Sequence, residues 1–193
     1  MASARDQIVE TTCDLLDLQG YHATGLNEIV RASGSPKGSL YYYFPGGKEE
    51  LTEKALEHVG GIVRERIERH LKSEPAPGKA ICSFIRLVAI NVEASGYKSG
   101  GPITTVALET AATSDRLRAT CERIYASWQR LFKLKLEAGG LQSEQAEALA
   151  TLTLASLEGG ILLCRTQRSP KPLQQIADTL QVHIEHLTKS TAP

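Results

Sequence analysis

The residues best placed to do chemistry lie between Thr24 and Leu51, in the run T-G-L-N-E-I-V-R-A-S-G-S-P-K-G-S-L-Y-Y-Y-F-P-G-G-K-E-E-L. No carboxylate occurs between Glu28 and Glu49, while Arg31, Lys37 and Lys48 fall inside that window. The chain as a whole has a formal net charge of zero, so any affinity for a polyanion has to come from a local surface such as this one. Lysine heads, tyrosine and serine hydroxyls and a side-chain-free glycine are the groups that meet phosphate oxygens and base edges. The chemistry expected here is binding of double-stranded DNA by Thr24, Ser35, Lys37, Gly38, Ser39, Tyr42, Tyr43 and Lys48. Lys37 is expected on base edges, and Thr24, Tyr42, Tyr43 and Lys48 on the backbone.

Positioning those groups requires short helices with tight breaks. Thr24 is expected to cap a helix that runs through Ala32 and stops at Gly34. Ser35-Pro36 then reads as a start signal, the serine oxygen capping free amides and the proline losing no needed donor. The next helix runs to about Tyr43, and from Pro36 to Tyr42 it would be roughly 10 Å long, short enough to present its end inside a major groove about 12 Å wide. Leu40 and Phe44, one turn apart, are expected to anchor it to Leu26 and Ile29, with Tyr41 also inside. Lys37, Gly38 and Tyr42 remain outside. Two short helices joined at Ser33-Gly34-Ser35 are the parts of a helix-turn-helix.

The rest of the chain is helical by periodicity, and alternating β-branched runs are scarce. Ile8, Thr12, Leu15, Leu16 and Gln19 mark a first helix from about Ser3, stopped by Gly20. Pro45-Gly46-Gly47 is a turn, followed by a long helix over 48–72. Ser73 to Gly78 reads as a hinge. Helices follow near Lys79–Ala94, Ile103–Ala112, Asp115–Ala138, Ser143–Arg165 and Pro172–Leu187. The fold class is all-α. The expected division is a three-helix helix-turn-helix domain at 1–50 and a ligand-binding and dimerisation domain at 51–193, with 48–72 connecting them.

Thr24, Ile29, Gly34, Gly38, Leu40, Tyr41, Phe44, Lys48 and Leu51 make the first 55 residues or so resemble the TetR family, whose reading head carries G-x-x-x-G-x-L-Y-x-H-F followed by K-x-x-L. Tyr43 stands where many members have histidine, Pro36 replaces a common serine, and Pro45-Gly46-Gly47 is one residue longer than the usual turn. F-P-G-G-K-E-E-L resembles the LmrA/YxaF-like branch, and L-E-G-G-I-L-L-C-R from Leu157 to Arg165 looks like the family's dimer helix. The resemblance implies a cytoplasmic repressor that binds a palindromic operator as a homodimer. It also implies release by a drug-like or aromatic inducer that shifts the long fourth helix.

The apolar residues of the two last helices, Ile161 among them, exceed what one core covers and suggest the dimer contact. Phe84, Leu87, Val88, Val106, Trp128, Leu131 and Phe132 are candidate walls of a ligand pocket, with Asn91, Glu109 and Glu158 as polar anchors. The competing classes are a helical enzyme and an adaptor that binds no DNA. The chain has no G-x-S-x-G elbow, phosphate loop or H-E-x-x-H pair, so no enzyme is expected. Likewise no cofactor is expected, and no metal at His183, Glu185 and His186. Cys13, Cys82, Cys121 and Cys164 lie far apart and are expected to be reduced thiols acting as small apolar residues. No signal or membrane segment is expected.

Overall fold

The computed structural model describes residues 3–190; residues 1–2 and 191–193, at the ends of the two expected domains, lie outside them. Among the described residues there are nine helices and no strand. They are α1 (Ala4–Ala23), α2 (Leu26–Ser33), α3 (Lys37–Tyr43), α4 (Gly47–Ser73), α5 (Pro77–Ala94), α6 (Pro102–Thr110), α7 (Asp115–Ala138), α8 (Ser143–Gln167) and α9 (Lys171–Ser190). Packing divides the chain into two compact units, one made of 1–62 with 101–124 and the other of 63–100 with 125–193. Both α4 and α7 therefore contribute residues to each unit.

In the first unit, α1 opens on a capping box: the Ser3 hydroxyl accepts from the Asp6 amide at 3.1 Å and the Asp6 carboxylate accepts from the Ser3 amide at 3.3 Å. The expected stop at Gly20 is a break inside the helix, with φ 80° and ψ −177°, after which one more turn reaches Ala23. Only glycine adopts that backbone freely. A Cβ at this position would also meet the Glu109 carboxylate of α6, which lies along α1. Ile8, Val9, Ile29, Leu40, Phe44 and Leu51 form the core that fastens α2 and α3 to α1 and α4.

Glu53 on α4 ties to the start of α7. Its carboxylate accepts from Arg116 at 2.6 Å and lies 3.6 Å from Arg123, while Glu49 accepts from Ser114. Burial alone would push the Glu53 carboxyl up, but the Arg116 hydrogen bond and charge hold it below the usual carboxylate value of 4.5. A depressed acid stabilises the fold fully above its ordinary pKa, and the contribution is lost as pH falls through the folded value. Glu53→Gln should accordingly lower the melting temperature at pH 7 and make little difference near pH 3, as thermal scans across pH would reveal.

In the second unit α5 packs on α9, and α8 packs on both. Gly160 permits a close approach of α9: a Cβ there would sit 2.5 Å from Leu173 and 2.8 Å from Ile176. Arg86 on α5 pairs with Asp178 on α9 at 2.7 Å. The hinge expected from Ser73 to Gly78 is shorter than the sequence suggests. Pro77 opens α5 and Gly78 is buried against the Gln181 carbonyl, because proline suits the first helical turn. One 18-residue window of α8 is apolar enough to cross a membrane by length and composition (mean hydropathy 1.4). Leu149, Ala150, Leu157, Ile161 and Cys164 on that helix are packed inside the chain.

The cysteines are placed as small apolar residues. Burial pushes the Cys13 and Cys82 thiols up to about 12 and Cys121 to about 11, and raises Cys164. Since the thiolate is the reactive form, the native chain should titrate almost no thiol with a disulfide reagent at pH 8 and all four once denatured. Rapid labelling of any of them in the native state would contradict that placement.

Candidate nucleic-acid interface

Helix α1 and the short helices α2 and α3 contact one another, and the turn between α2 and α3 is closed by Gly34 with φ 64°. A seven-residue helix has little stability alone and takes its position from what it buries. Of α3 only Leu40 and the following Phe44 are buried, joined by Ile29 and partly by Leu26, as the one-turn spacing predicted. Everything else on α3 is turned outward or half-exposed.

Lys37 is exposed at the first position of α3, Gly38 faces open space where even a Cβ would touch nothing, and Ser39 is half-buried. Tyr42 is 80% exposed and its ring meets Tyr43 edge-on at 5.1 Å. Arg31 on α2 is also exposed. Tyr41 departs from expectation, since it is 47% exposed and not part of the core. Leu40 and Phe44 take the inner face, and 100° per residue carries Tyr41 out of it.

Two capping expectations are corrected. The N-cap of α2 is Gly25 without a side-chain bond. Thr24 is buried, and its hydroxyl donates back to the Gly20 carbonyl at 2.6 Å, across the break in α1. At α3 the N-cap is Pro36, with ψ 140°, so the helix begins one residue later than the serine signal suggests. Ser35 is left buried, its hydroxyl without a hydrogen-bond partner.

Lys48 does open the helix after the turn, as second residue of α4, but it is half-buried. Its ammonium stands 4.2 Å from the centroid of the Tyr21 ring. Burial lowers its pKa, and the Glu109 carboxylate acts in the opposite direction. The Glu109 Oε2 accepts the His22 amide proton at 2.7 Å. Sequence reasoning missed Tyr21 altogether, and it missed Arg5, whose guanidinium lies 5.8 Å from the Phe44 ring. An aromatic just past a helix-breaking glycine was the only local signal for Tyr21.

The residues expected to line a ligand pocket divide between the units. Val106 and Glu109 belong to the first. Phe84, Leu87, Val88, Asn91, Trp128, Leu131, Phe132 and Glu158 belong to the second. There Phe84 and Phe132 are buried with ring centroids 6.2 Å apart, and His70 meets Phe84 edge-on at 5.9 Å. Trp128 is buried, Leu87, Val88, Leu131 and Glu158 are half-buried, and Asn91 is exposed. No cluster of three metal-ligating side chains occurs among the described residues.

On α8 the outward stripe is Leu152, Ala155, Gly159, Leu162 and Leu163, and Val182 on α9 is exposed as well. Ile161, expected on that stripe, is buried within its own chain.

Fold and reading head together define an all-helical DNA-binding protein of the helix-turn-helix class. Residues 8–55 match the bacterial regulatory proteins of the tetR family, and residues 77–179 match the C-terminal domain of LmrA/YxaF-like transcriptional regulators. The chain is 41% identical over 179 residues to the HTH-type transcriptional regulator YxaF of Bacillus subtilis (93% of this chain, 94% of that one). It is 34% identical over 177 residues to LmrA of the same organism (92% and 94%). Among solved structures it resembles a regulatory protein TetR from Rhodobacter sphaeroides, with TM-score 0.85 and 24% identity over 94% of this chain and 99% of that one. It also resembles a cysteine mutant of the regulator CifR complexed with a 26-base-pair operator, with TM-score 0.80 and 22% identity (94% and 96%). The chain belongs to the TetR family of transcriptional regulators, in its LmrA/YxaF-like branch.

Proposed function

We propose that this regulator is a repressor that binds a palindromic operator as a homodimer in the cytoplasm and is released by a drug-like or aromatic inducer. Residues 1–50 would be the DNA-binding domain and 51–193 the ligand-binding and dimerisation domain, with 48–72 connecting them. The observation that carries the DNA part is the outer face of α3, where Lys37, Gly38 and Tyr42 stand free of any internal role that would hide them. Lys37 reads base edges. Tyr42, Tyr43 and Lys48 hold the backbone, with Ser39 beside them. Thr24, bonded back to the Gly20 carbonyl, and Ser35 are both buried and do not reach out.

The inducer site is placed in the second unit, on the aromatic pair Phe84 and Phe132 with Trp128, Leu87, Val88 and Leu131, and with Asn91 or Glu158 as polar anchor. Since α4 and α7 run through both units, a ligand that prefers one arrangement of these helices shifts the population of DNA-competent dimers.

A duplex selected by the protein from a random-sequence pool supplies the probe, and anisotropy over a salt series supplies the measurement. Lys37→Ala is expected to cost about 1–3 kcal/mol on the selected duplex and to relax base preference at one position per half-site. Lys48→Ala is expected to weaken selected and scrambled duplexes alike and to flatten the salt dependence. If neither variant alters binding, α3 is not the reading head.

A further inference from the structure

Lys48 is not a free lysine. Its ammonium rests 4.2 Å from the Tyr21 ring centroid, and Tyr21 is the first residue after the break at Gly20. The break fixes where that ring stands. Gly20 has no Cβ to exclude the Glu109 side chain, and Glu109 binds the His22 amide next to Tyr21 at 2.7 Å. A second contact joins the same two residues, the His22 ring lying 3.3 Å from the Glu109 carbonyl oxygen. So the last turn of α1 is clamped by α6, and it carries the platform on which the cation of α4 sits.

We propose that Tyr21 is a positioning residue of the DNA site, its ring holding the Lys48 ammonium at the start of α4 for an operator phosphate, and that Glu109 offsets part of that charge. The inference rests on the reading of α2 and α3 as a DNA-binding head. It adds two residues that touch no DNA themselves, and it moves Glu109 from the inducer site to the control of DNA affinity.

The physical case has two parts. A cation over an aromatic face is held without being neutralised, because the ring offers its negative quadrupole and no formal charge. The ammonium therefore keeps its charge for a phosphate while losing the freedom of its four-carbon stem. A carboxylate does neutralise, and Glu109, held beside Tyr21 by the His22 amide, is an acidic group whose field reaches Lys48. Fixed by a backbone amide, it cannot swing away when phosphate arrives. Tyr21 and Glu109 thus act on the same cation with opposite signs.

The test uses the full-length chain, the selected duplex and anisotropy over a salt series. Tyr21→Leu is expected to weaken binding roughly three- to tenfold, with Tyr21→Phe recovering most of the loss because it keeps the ring face. In a Lys48→Ala background Tyr21→Leu should cost almost nothing more. Glu109→Gln keeps an acceptor for the His22 amide and removes the charge, so it is expected to tighten binding about two- to fivefold, and by less when Lys48 is alanine. A merely structural role predicts losses from both substitutions, so a gain from Glu109→Gln is the discriminating sign.

If Tyr21→Leu costs as much without Lys48 as with it, or Glu109→Gln weakens binding, the proposal is overturned. A readout independent of DNA is the upfield ring-current shift of the Lys48 side-chain protons, present in the wild type and lost in Tyr21→Leu. Should the shift be present while the protein selects no duplex, the DNA reading fails and takes the phosphate role with it. A shift absent from the wild type overturns the Tyr21 pairing alone.

Discussion

Leu162→Asp is expected to turn a dimer into folded monomers, whereas Ile161→Asp, one residue away, is expected to unfold the chain. Leu162 is 61% exposed on α8 and Ile161 is 7% exposed. In the proposed dimer the outward stripe of Leu152, Ala155, Gly159, Leu162 and Leu163 meets its two-fold copy, as apolar helix faces do in four-helix contacts. A charge at Leu162 would be carried into that contact twice. At about 3 kcal/mol for each unpaired buried charge, the two copies together raise the dissociation constant by roughly ten-thousandfold. Within the isolated chain the same aspartate is in water, so helix content and the melting of the monomer should change little. Ile161 lies against Gly100 inside the second unit, where aspartate has neither partner nor water. Sedimentation at several concentrations, with circular dichroism beside it, separates the outcomes. A Leu162→Asp chain that stays dimeric at low micromolar concentration would place the dimer contact elsewhere.

Why the sequence pointed to Ile161 is instructive. On an amphipathic helix the apolar period says which side is inside, but α8 is apolar all round, and periodicity then names no side. Gly160 was the better guide, since it marks where α9 approaches, and Ile161 follows it inward against the chain's own core. The reading head was legible because Leu40 and Phe44 recur at one turn and Gly34 closes the short gap between α2 and α3. The capping errors have one cause. A serine or threonine before a helix is a start signal only if its backbone leads directly into the first turn. Here Gly25 and Pro36 each stand one residue between, with extended ψ of 145° and 140°. Thr24 and Ser35 are therefore folded inward instead of forward. The contacts of Lys48 were beyond reach for another reason: Tyr21 and Glu109 are brought to it by α1 and α6, and no spacing in the chain encodes that meeting.

Phe44→Ala should abolish sequence-specific binding while leaving the dimer intact. Phe44 is buried just past the end of α3, and with Leu40 it is all that α3 buries. Removing a buried phenylalanine costs about 3–5 kcal/mol, part of it for the cavity. A domain is typically stable by only about 5–15 kcal/mol, so the loss falls on a unit with little to spare. The seven-residue helix cannot persist without its anchor, and Lys37, Gly38 and Tyr42 then have no fixed geometry to offer a groove. Arg5, which lies over the same ring, loses its partner as well. The core of the second unit contains none of these residues, and the proposed dimer stripe lies on α8 and α9. The measurements are anisotropy on the selected duplex, sedimentation, and hydrogen exchange. The expected pattern is affinity reduced to that for scrambled DNA, an unchanged dimer mass, and fast exchange confined to α2 and α3. Fast exchange spreading equally through α5, α8 and α9 would mean that the two units melt as one.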